Sequence, residues 1–399
     1  MDFSAFSTGD SPFYEPRQVS PELHLVLPDG WLSARSDGWT GVWPANVPRR
    51  THGWKIHLSL RESTYDQSLP QAAETCIRHA VAFKYVPSVQ ALIGRNAKNA
   101  DRAASGKAVT IYPASDDQLG VLAHELDEAL SDHVGPYILS DVRLGAGPVH
   151  FRFGGFEPLI IERDGRRLAA RPSSGGTLVE DVRAPYFARP VDAVVPPVVA
   201  EAISEYGRLP ERNPLTAYQS VEPIQFSNAG GVYLATDDDG TVTVVKEARR
   251  RAGLDANGRH ATQRLHTEHR NLALLSGTGV APEALRLFDV LDHTFLEMEF
   301  IDGRTLADRT VTELLAQEAA PGGRGVVDAL VAAGFDKASL QVTPDTTYTG
   351  READSVQFSA LWGESCLVGQ VAAGTYAAQT APVLGTGACL VGTTRAVDW

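Results

Sequence analysis

The sequence predicts an α+β protein built largely from antiparallel strands. Three observations lead there. Short runs such as WKIHLSL (residues 54–60) alternate apolar and polar residues with period two, the pattern of a strand with one buried face. Helical spacing is confined to a few segments, notably 71–82 and 116–130. Glycine-rich turn signals such as GAGP at 145–148 separate neighbouring strand runs, which fits hairpins better than the βαβ rhythm of a parallel sheet.

The elements follow in order. Residues 1–50 are rich in Pro, Gly and aromatics and are read as short strands and loops that cover a site, with Trp31, Trp39 and Trp43 supplying core area. WKIHLSL is a strand, residues 71–82 a helix, FKYV a strand, AVTIYP a strand and 116–130 an amphipathic helix. GPYILSDVRL and GPVHFRFGGF are two further strand runs. Residues 157–220 show little pattern beyond the helix VVAEAISEYGRL and are read as a connector. From Val221 a new unit runs strand, Gly-Gly turn, strand, DDDG hairpin, a strand with Lys246, a helix with Glu268, and two strands ending in FIDG. Beyond Leu306 come two helices and a Thr-, Gly- and Val-rich tail with strand candidates LQVTP, VQFSALWG, CLVGQVAAG and ACLVGTTRAVDW.

Composition narrows the function classes. A chain of 399 residues suits two or three domains. Lys and Arg number 36 against 49 Asp and Glu, a formal charge of -13, so general nucleic-acid binding is not expected. No apolar run is long enough to span a bilayer, and the N-terminal MDFSAFSTGDSPFYEP lacks a secretion signal, so membrane attachment is not expected and a cytoplasmic location is. Three cysteines show no metal-ligand spacing and no metal ligands are found; Cys366 and Cys389 can pair in an oxidising compartment.

Against that acidic background, the segment from Gly53 to Pro113 is locally basic. Lys55 and His57 share one face of their strand, while Trp54, Ile56 and Leu58 take the other. Lys84 sits in the apolar FKYV run, and Arg95, Lys98, Arg102 and Lys107 precede a strand carrying Tyr112. Around a phosphorylated serine or threonine these residue types suit β-elimination. A desolvated Lys84 serves as base and His57 as acid to the departing phosphate. Lys55, Arg95, Lys98, Arg143 and Arg152 serve as the phosphate clamp, with Tyr112 as a hydroxyl donor. The plainer alternative makes His57 a structural histidine and the basic segment a solvated loop.

The motifs WKIHLS, FKYV, GRNAKNADRAASGKAVTIYP, GPYILSDVR and FRFGGF, in that order, resemble the lyase region of class III lanthipeptide synthetases, a region related to bacterial phosphothreonine lyases. The resemblance implies a lyase-like domain over 1–205 with His57 as general acid and Lys84 as base. It also implies phosphate contacts from Arg143, Arg152 and Tyr112, with Arg95 and Lys98 competing for one role. FSNAGGVYLA, VVKEARRRAGLD, LHTEHRNLALL and FLEMEFIDGRTL resemble the kinase small lobe of the same synthetases, over 206–310. That implies weak ATP binding through Gly230, Gly231, Lys246 and Glu268. From Asp302 onward neither an H-R-D loop nor D-F-G occurs, so no kinase activity is expected. The tail, 322–399, is similar to a small actinobacterial domain of unknown function usual in exported proteins. The expectation is a truncated synthetase that dehydrates phosphoserine or phosphothreonine of a precursor (leader) peptide. A non-catalytic peptide- or nucleotide-binding fragment and a non-functional fusion are the alternatives.

Overall fold

The computed structural model describes residues 21–47, 50–208, 214–255, 257–303, 305–363 and 365–399. It is a mixed α+β structure of two compact units, one running to Phe300 and the other starting at Ile301. Among the described residues no helix is long and apolar enough to cross a membrane.

The first unit opens with strands β1 (Trp31–Ser36), β2 (Trp39–Pro44) and β3 (His52–Leu58), then helix α1 (Tyr65–Arg78), β4 (Ala82–Tyr85), helix α2 (Val89–Asn96), β5 (Val109–Tyr112) and helix α3 (Asp116–Ala129). It continues with β6 (Val142–Arg143) and β7 (Val149–Gly155). The seven strands form one antiparallel sheet in the order β1-β2-β4-β5-β3-β7-β6. Its apolar face carries Trp54, Ile56, Leu58, Phe83, Ile111, Val149 and Phe151, all buried in one core with Leu69 of α1 and Leu122 of α3. Serines cap two helices: Ser88 accepts from the Ala91 N–H and Ser115 from the Gln118 N–H.

Three sequence expectations need correction. Helix α1 starts at Tyr65, not at Gln71, with Pro70 inside it. An interior proline costs about 3 kcal/mol. Full burial of Tyr65 and Leu69 returns roughly 1.5–3 kcal/mol for each side chain, so packing decides the helix start. Residues 157–220 are not a bare connector. They contain β8 (Leu159–Arg163), β9 (Arg166–Pro172) and β10 (Leu178–Glu180) in a second antiparallel sheet, ahead of helix α4 (Pro197–Gly207). The β8–β9 turn is Asp164-Gly165, both at positive φ, a strong hairpin signal masked by the Arg- and Pro-rich surroundings. The same Asp-Gly device, Asp37-Gly38, closes the β1–β2 hairpin.

A five-stranded antiparallel sheet completes this unit: β11 (Ser220–Ser227), β12 (Gly230–Thr236), β13 (Val242–Arg249), β14 (Ala284–Val290) and β15 (His293–Glu299), ordered β11-β12-β13-β15-β14. Helix α5 (Ala261–Leu274) packs on it through Leu265 and Leu272 against Ala248, Leu296 and Met298.

The other unit holds helices α6 (Leu306–Gln317) and α7 (Gly323–Ala332) over a four-stranded antiparallel sheet of β16 (Leu340–Val342), β17 (Ser355–Trp362), β18 (Ser365–Ala372) and β19 (Thr375–Pro382). Val311, Val326, Leu330 and Phe358 share its core. The third correction falls here. The last strand is TYAAQTAP, not ACLVGTTRAVDW. The latter run makes only a single bridge, Arg395 to Val342, and is tied to β18 by the Cys366–Cys389 disulfide. Cys76 is free and buried.

Candidate functional site

Register places the polar face of the seven-stranded sheet. Side chains of directly paired strand residues lie on the same face. Gly41 pairs with Lys84, Lys84 with Thr110, Thr110 with His57, His57 with His150, and His150 with Arg143. One row of the sheet therefore runs Lys84, Thr110, His57, His150, Arg143. His57 and Lys84 lie two strands apart, about 10 Å at the backbone by the usual strand spacing. Lys55 faces Arg152 on a neighbouring row. The alternation read from WKIHLSL holds: Lys55 and His57 share this face, and Trp54, Ile56 and Leu58 point to the core.

His57 is buried, and its Nδ1 lies 2.5 Å from Oδ2 of Asp141. Asp141 is fully buried and takes a second hydrogen bond from Ser140 Oγ at 2.6 Å. Burial pulls the imidazole pKa down to about 3, against the opposing pull of Asp141. Burial raises the Asp141 carboxyl, but His57 and Lys107 outweigh it and hold the acid well below its ordinary value. The pair is therefore a neutral ring donating from Nδ1 to a carboxylate. His150, on the same row, is structural: its Nδ1 meets the Pro148 carbonyl at 3.0 Å and its Nε2 accepts from the Ile138 N–H at 3.3 Å.

Lys84 lies 4.4 Å from the ring centroid of Trp39, and the guanidinium of Arg95 lies 4.2 Å from the same centroid. Desolvation, then the charges of Arg183, Arg95 and Lys107, bring the Lys84 amine down to about 8. Lys107, half-buried, donates to the Ala103 carbonyl at 2.7 Å and comes within 4.0 Å of Asp141. Lys55 is buried, donates to the Gly155 carbonyl at 2.7 Å, and is lowered by desolvation and by Arg152. Arg152 is engaged by Asp181 at 2.6 Å and by the Val182 carbonyl at 2.8 Å. Tyr112 packs against Phe156, and burial pushes its phenol upward. Arg183, an exposed side chain, acts electrostatically on Lys55, Lys84, Lys107 and Tyr112.

The remaining clamp candidates separate. Arg95 stands beside Lys84, whereas Lys98 is exposed and meets the five-stranded sheet through its backbone: its N–H donates to Leu254 and its carbonyl accepts from Asn228. Arg143 pairs with Asp292 at 2.5 Å. Residues that sequence reasoning did not single out are Asp141, Asp181 and Arg183; Lys107 is placed there only within the basic segment, and Trp39 only as core area. Asp141 lies within the GPYILSDVR run, but its partner is 84 residues away.

In the five-stranded sheet, Lys246 of β13 forms an ion pair with Glu268 of α5. Gly230 takes φ +149°, and a side chain there would run into the Glu247 carbonyl, so close backbone approach requires glycine. The turn before it is docked: Asn228 is buried and its side-chain amide donates to the Ala97 carbonyl at 2.9 Å. Gly231 follows, in register with Phe226. Among the described residues no group of three or more His, Cys, Asp or Glu side chains is placed to hold a metal ion.

Residues 20–208 match the family described as RamC, N-terminal domain, and residues 311–393 match a domain of unknown function, DUF6993. The chain is thus related to the lanthipeptide synthetases. Over 308 residues it is 41% identical to a probable SapB synthase of Streptomyces coelicolor, an alignment covering 76% of this chain and 32% of that protein. The chain accordingly spans about a third of the length of that curated relative. A solved structure of the type III effector/phosphothreonine lyase OspF from Shigella flexneri aligns with 32% of this chain and 72% of its own, at 17% identity and a TM-score of 0.25.

Proposed function

We propose that this chain eliminates phosphate from phosphoserine or phosphothreonine in a peptide, leaving a dehydroamino acid. The observation that carries the reading is the row Lys84, Thr110, His57: an amine brought near neutrality and an imidazole backed by a carboxylate, on one face, with cations around them. Lys84 as free amine removes the proton from Cα. The Cβ–O bond to phosphate breaks, the electron pair of the C–H bond becomes the Cα=Cβ double bond, and phosphate departs with a proton from His57. A phosphate dianion against Nε2 adds a negative charge to the pocket, which favours the imidazolium needed for that step. Lys55, Arg95 and Lys107 offer positive charge to the dianion; Arg152 and Arg143 do so while also held by Asp181 and Asp292. Tyr112 lies on the same sheet as a hydroxyl donor. The relation to a SapB synthase makes a precursor peptide the natural carrier of the phosphorylated residue.

The five-stranded sheet with α5 is read as a kinase-type small lobe over 206–310, ahead of a tail domain at 322–399 and behind a lyase-like domain at 1–205. The strand order and the Lys246–Glu268 pair support it. Lys246 is the residue that would meet the α- and β-phosphates of ATP, held there by Glu268.

The test is a synthetic phosphothreonine peptide incubated with the chain, with mass spectrometry following loss of phosphoric acid. Elimination by wild type that disappears in Lys84→Ala supports the reading. Equal product from both assigns the base elsewhere. Binding of the peptide in calorimetry with no elimination makes the site a recognition module instead.

A further inference from the structure

The support of His57 does not end within its own sheet. Arg249, the last residue of β13, is buried, 2% exposed. Its Nη1 donates to the carbonyl and Oδ1 of Asn228 at 3.0 and 2.7 Å, and its Nη2 donates to the carbonyl of Tyr137 at 2.7 Å. Tyr137 stands before β6. Its hydroxyl donates to the carbonyl of Asp141 at 3.1 Å, and its ring meets His150 edge-on with centroids 5.3 Å apart. Asp141 in turn holds Nδ1 of His57. A single residue thus lies between Arg249 and the carboxylate that orients the imidazole.

A second tie arrives from the same sheet. Asp292, in the turn between β14 and β15, pairs with Arg143 at 2.5 Å. Arg143 lies over the Tyr137 ring at 5.4 Å and stands in register with His150, the cross-strand partner of His57. The carbonyl of Asp292 accepts from the N–H of Arg250, so the Asp292 turn and the Arg249 end of β13 are joined. Both ties converge on Tyr137, one at its carbonyl and one across its ring. A guanidinium buried this deeply is costly unless its donors are used. Here three hydrogen bonds from Nη1 and Nη2 go to acceptors whose placement fixes the turn at Asn228 and the loop at Tyr137, while Nε is buried without a partner.

We propose that the five-stranded sheet is a working part of the elimination site: Arg249 and Asp292 are positioning residues that fix Tyr137 and Arg143, and through Tyr137 the Asp141–His57 pair. The inference rests on the elimination reading above. It makes the strand-and-turn end of a kinase-type sheet a brace for a neighbouring acid, whatever that sheet does with nucleotide.

The experiment uses the full chain and a phosphothreonine peptide. Arg249→Lys keeps the charge and loses the fork; Asp292→Asn keeps the shape and loses the charge. Each is measured alone and combined with His57→Asn, and the ring 15N shifts of His57, assigned by their loss in His57→Asn, are recorded for the singles. The expected result is a fall in kcat of about tenfold in each single variant, with no further fall on the His57→Asn background, and displaced His57 shifts. Equal losses on both backgrounds, or unmoved shifts, overturn the proposal. Displaced shifts without any turnover by wild type would sink the elimination reading and leave the bracing intact. Turnover with unmoved shifts and unaltered rates would do the reverse.

Discussion

Two strand lysines of this chain meet opposite surroundings. Lys84 lies among Arg95, Arg183 and Lys107, stacked on Trp39, and its amine is brought down to about 8. Lys246 lies across from Glu268 and is paired with it. The residue type is the same and the strand setting is similar. What differs is the sign of the neighbouring charge and the loss of water. Cations and desolvation favour the free amine of Lys84, the form a base needs, whereas Lys246 is held by a carboxylate. On the proposed reading, the same side chain abstracts a proton in one sheet and holds an anion in the other.

The sharpest way to break this comparison is to truncate each lysine. Lys84→Ala should lower elimination by about 10²–10⁴-fold, the usual worth of a positioned base, in single-turnover assays with phosphothreonine peptide. Lys246→Ala should instead abolish ATP binding in calorimetry. If ATP binding were lost from Lys84→Ala, or phosphopeptide turnover collapsed only in Lys246→Ala, the two roles would be exchanged.

Next in size is the acid's support. Asp141→Asn removes the carboxylate that orients the ring and favours its protonation. The expected loss is about 10²-fold in kcat, checked beside His57→Asn, with little added when the two are combined.

The pH dependence sharpens the picture by smaller steps. Elimination needs Lys84 as the neutral amine and His57 as imidazolium, so with values of about 8 and about 3 kcat/KM should be level between them and fall about tenfold per pH unit above about 8. A flat profile from pH 6 to 9 would remove Lys84 as base. Stability should follow the same group. Its folded pKa of about 8 lies below the ordinary 10.5, so the unfolded chain binds more protons between those values. Stability therefore rises with pH across that window, and Lys107, also brought down to about 8, acts in the same direction. Denaturant midpoints measured at pH 8 and pH 10 would check the sign, with Lys84→Met showing a smaller rise.

Much of the fold was legible because strand and helix periods are local. The runs WKIHLSL, AVTIYP and VVKEAR announced their strands, and residues 116–130 announced α3. The hairpin at Asp164-Gly165 was missed although its turn dipeptide was plain, because Arg and Pro on either side hid the alternation. The exchange of ACLVGTTRAVDW for TYAAQTAP at the sheet's end had no local signal: the first run is the more β-like, and the disulfide draws it across the sheet instead.

What the sequence determined alone is the side of each strand on which a residue stands. Period two puts Lys55 and His57 opposite Trp54, Ile56 and Leu58 in any sheet that buries one face. Which residues then meet depends on strand order and register, and those join positions far apart in the chain. Asp141 reaches His57 over 84 residues and Arg249 reaches Tyr137 over 112, so only the tertiary structure could show that the imidazole has a carboxylate behind it and that the carboxylate's loop is anchored from another sheet.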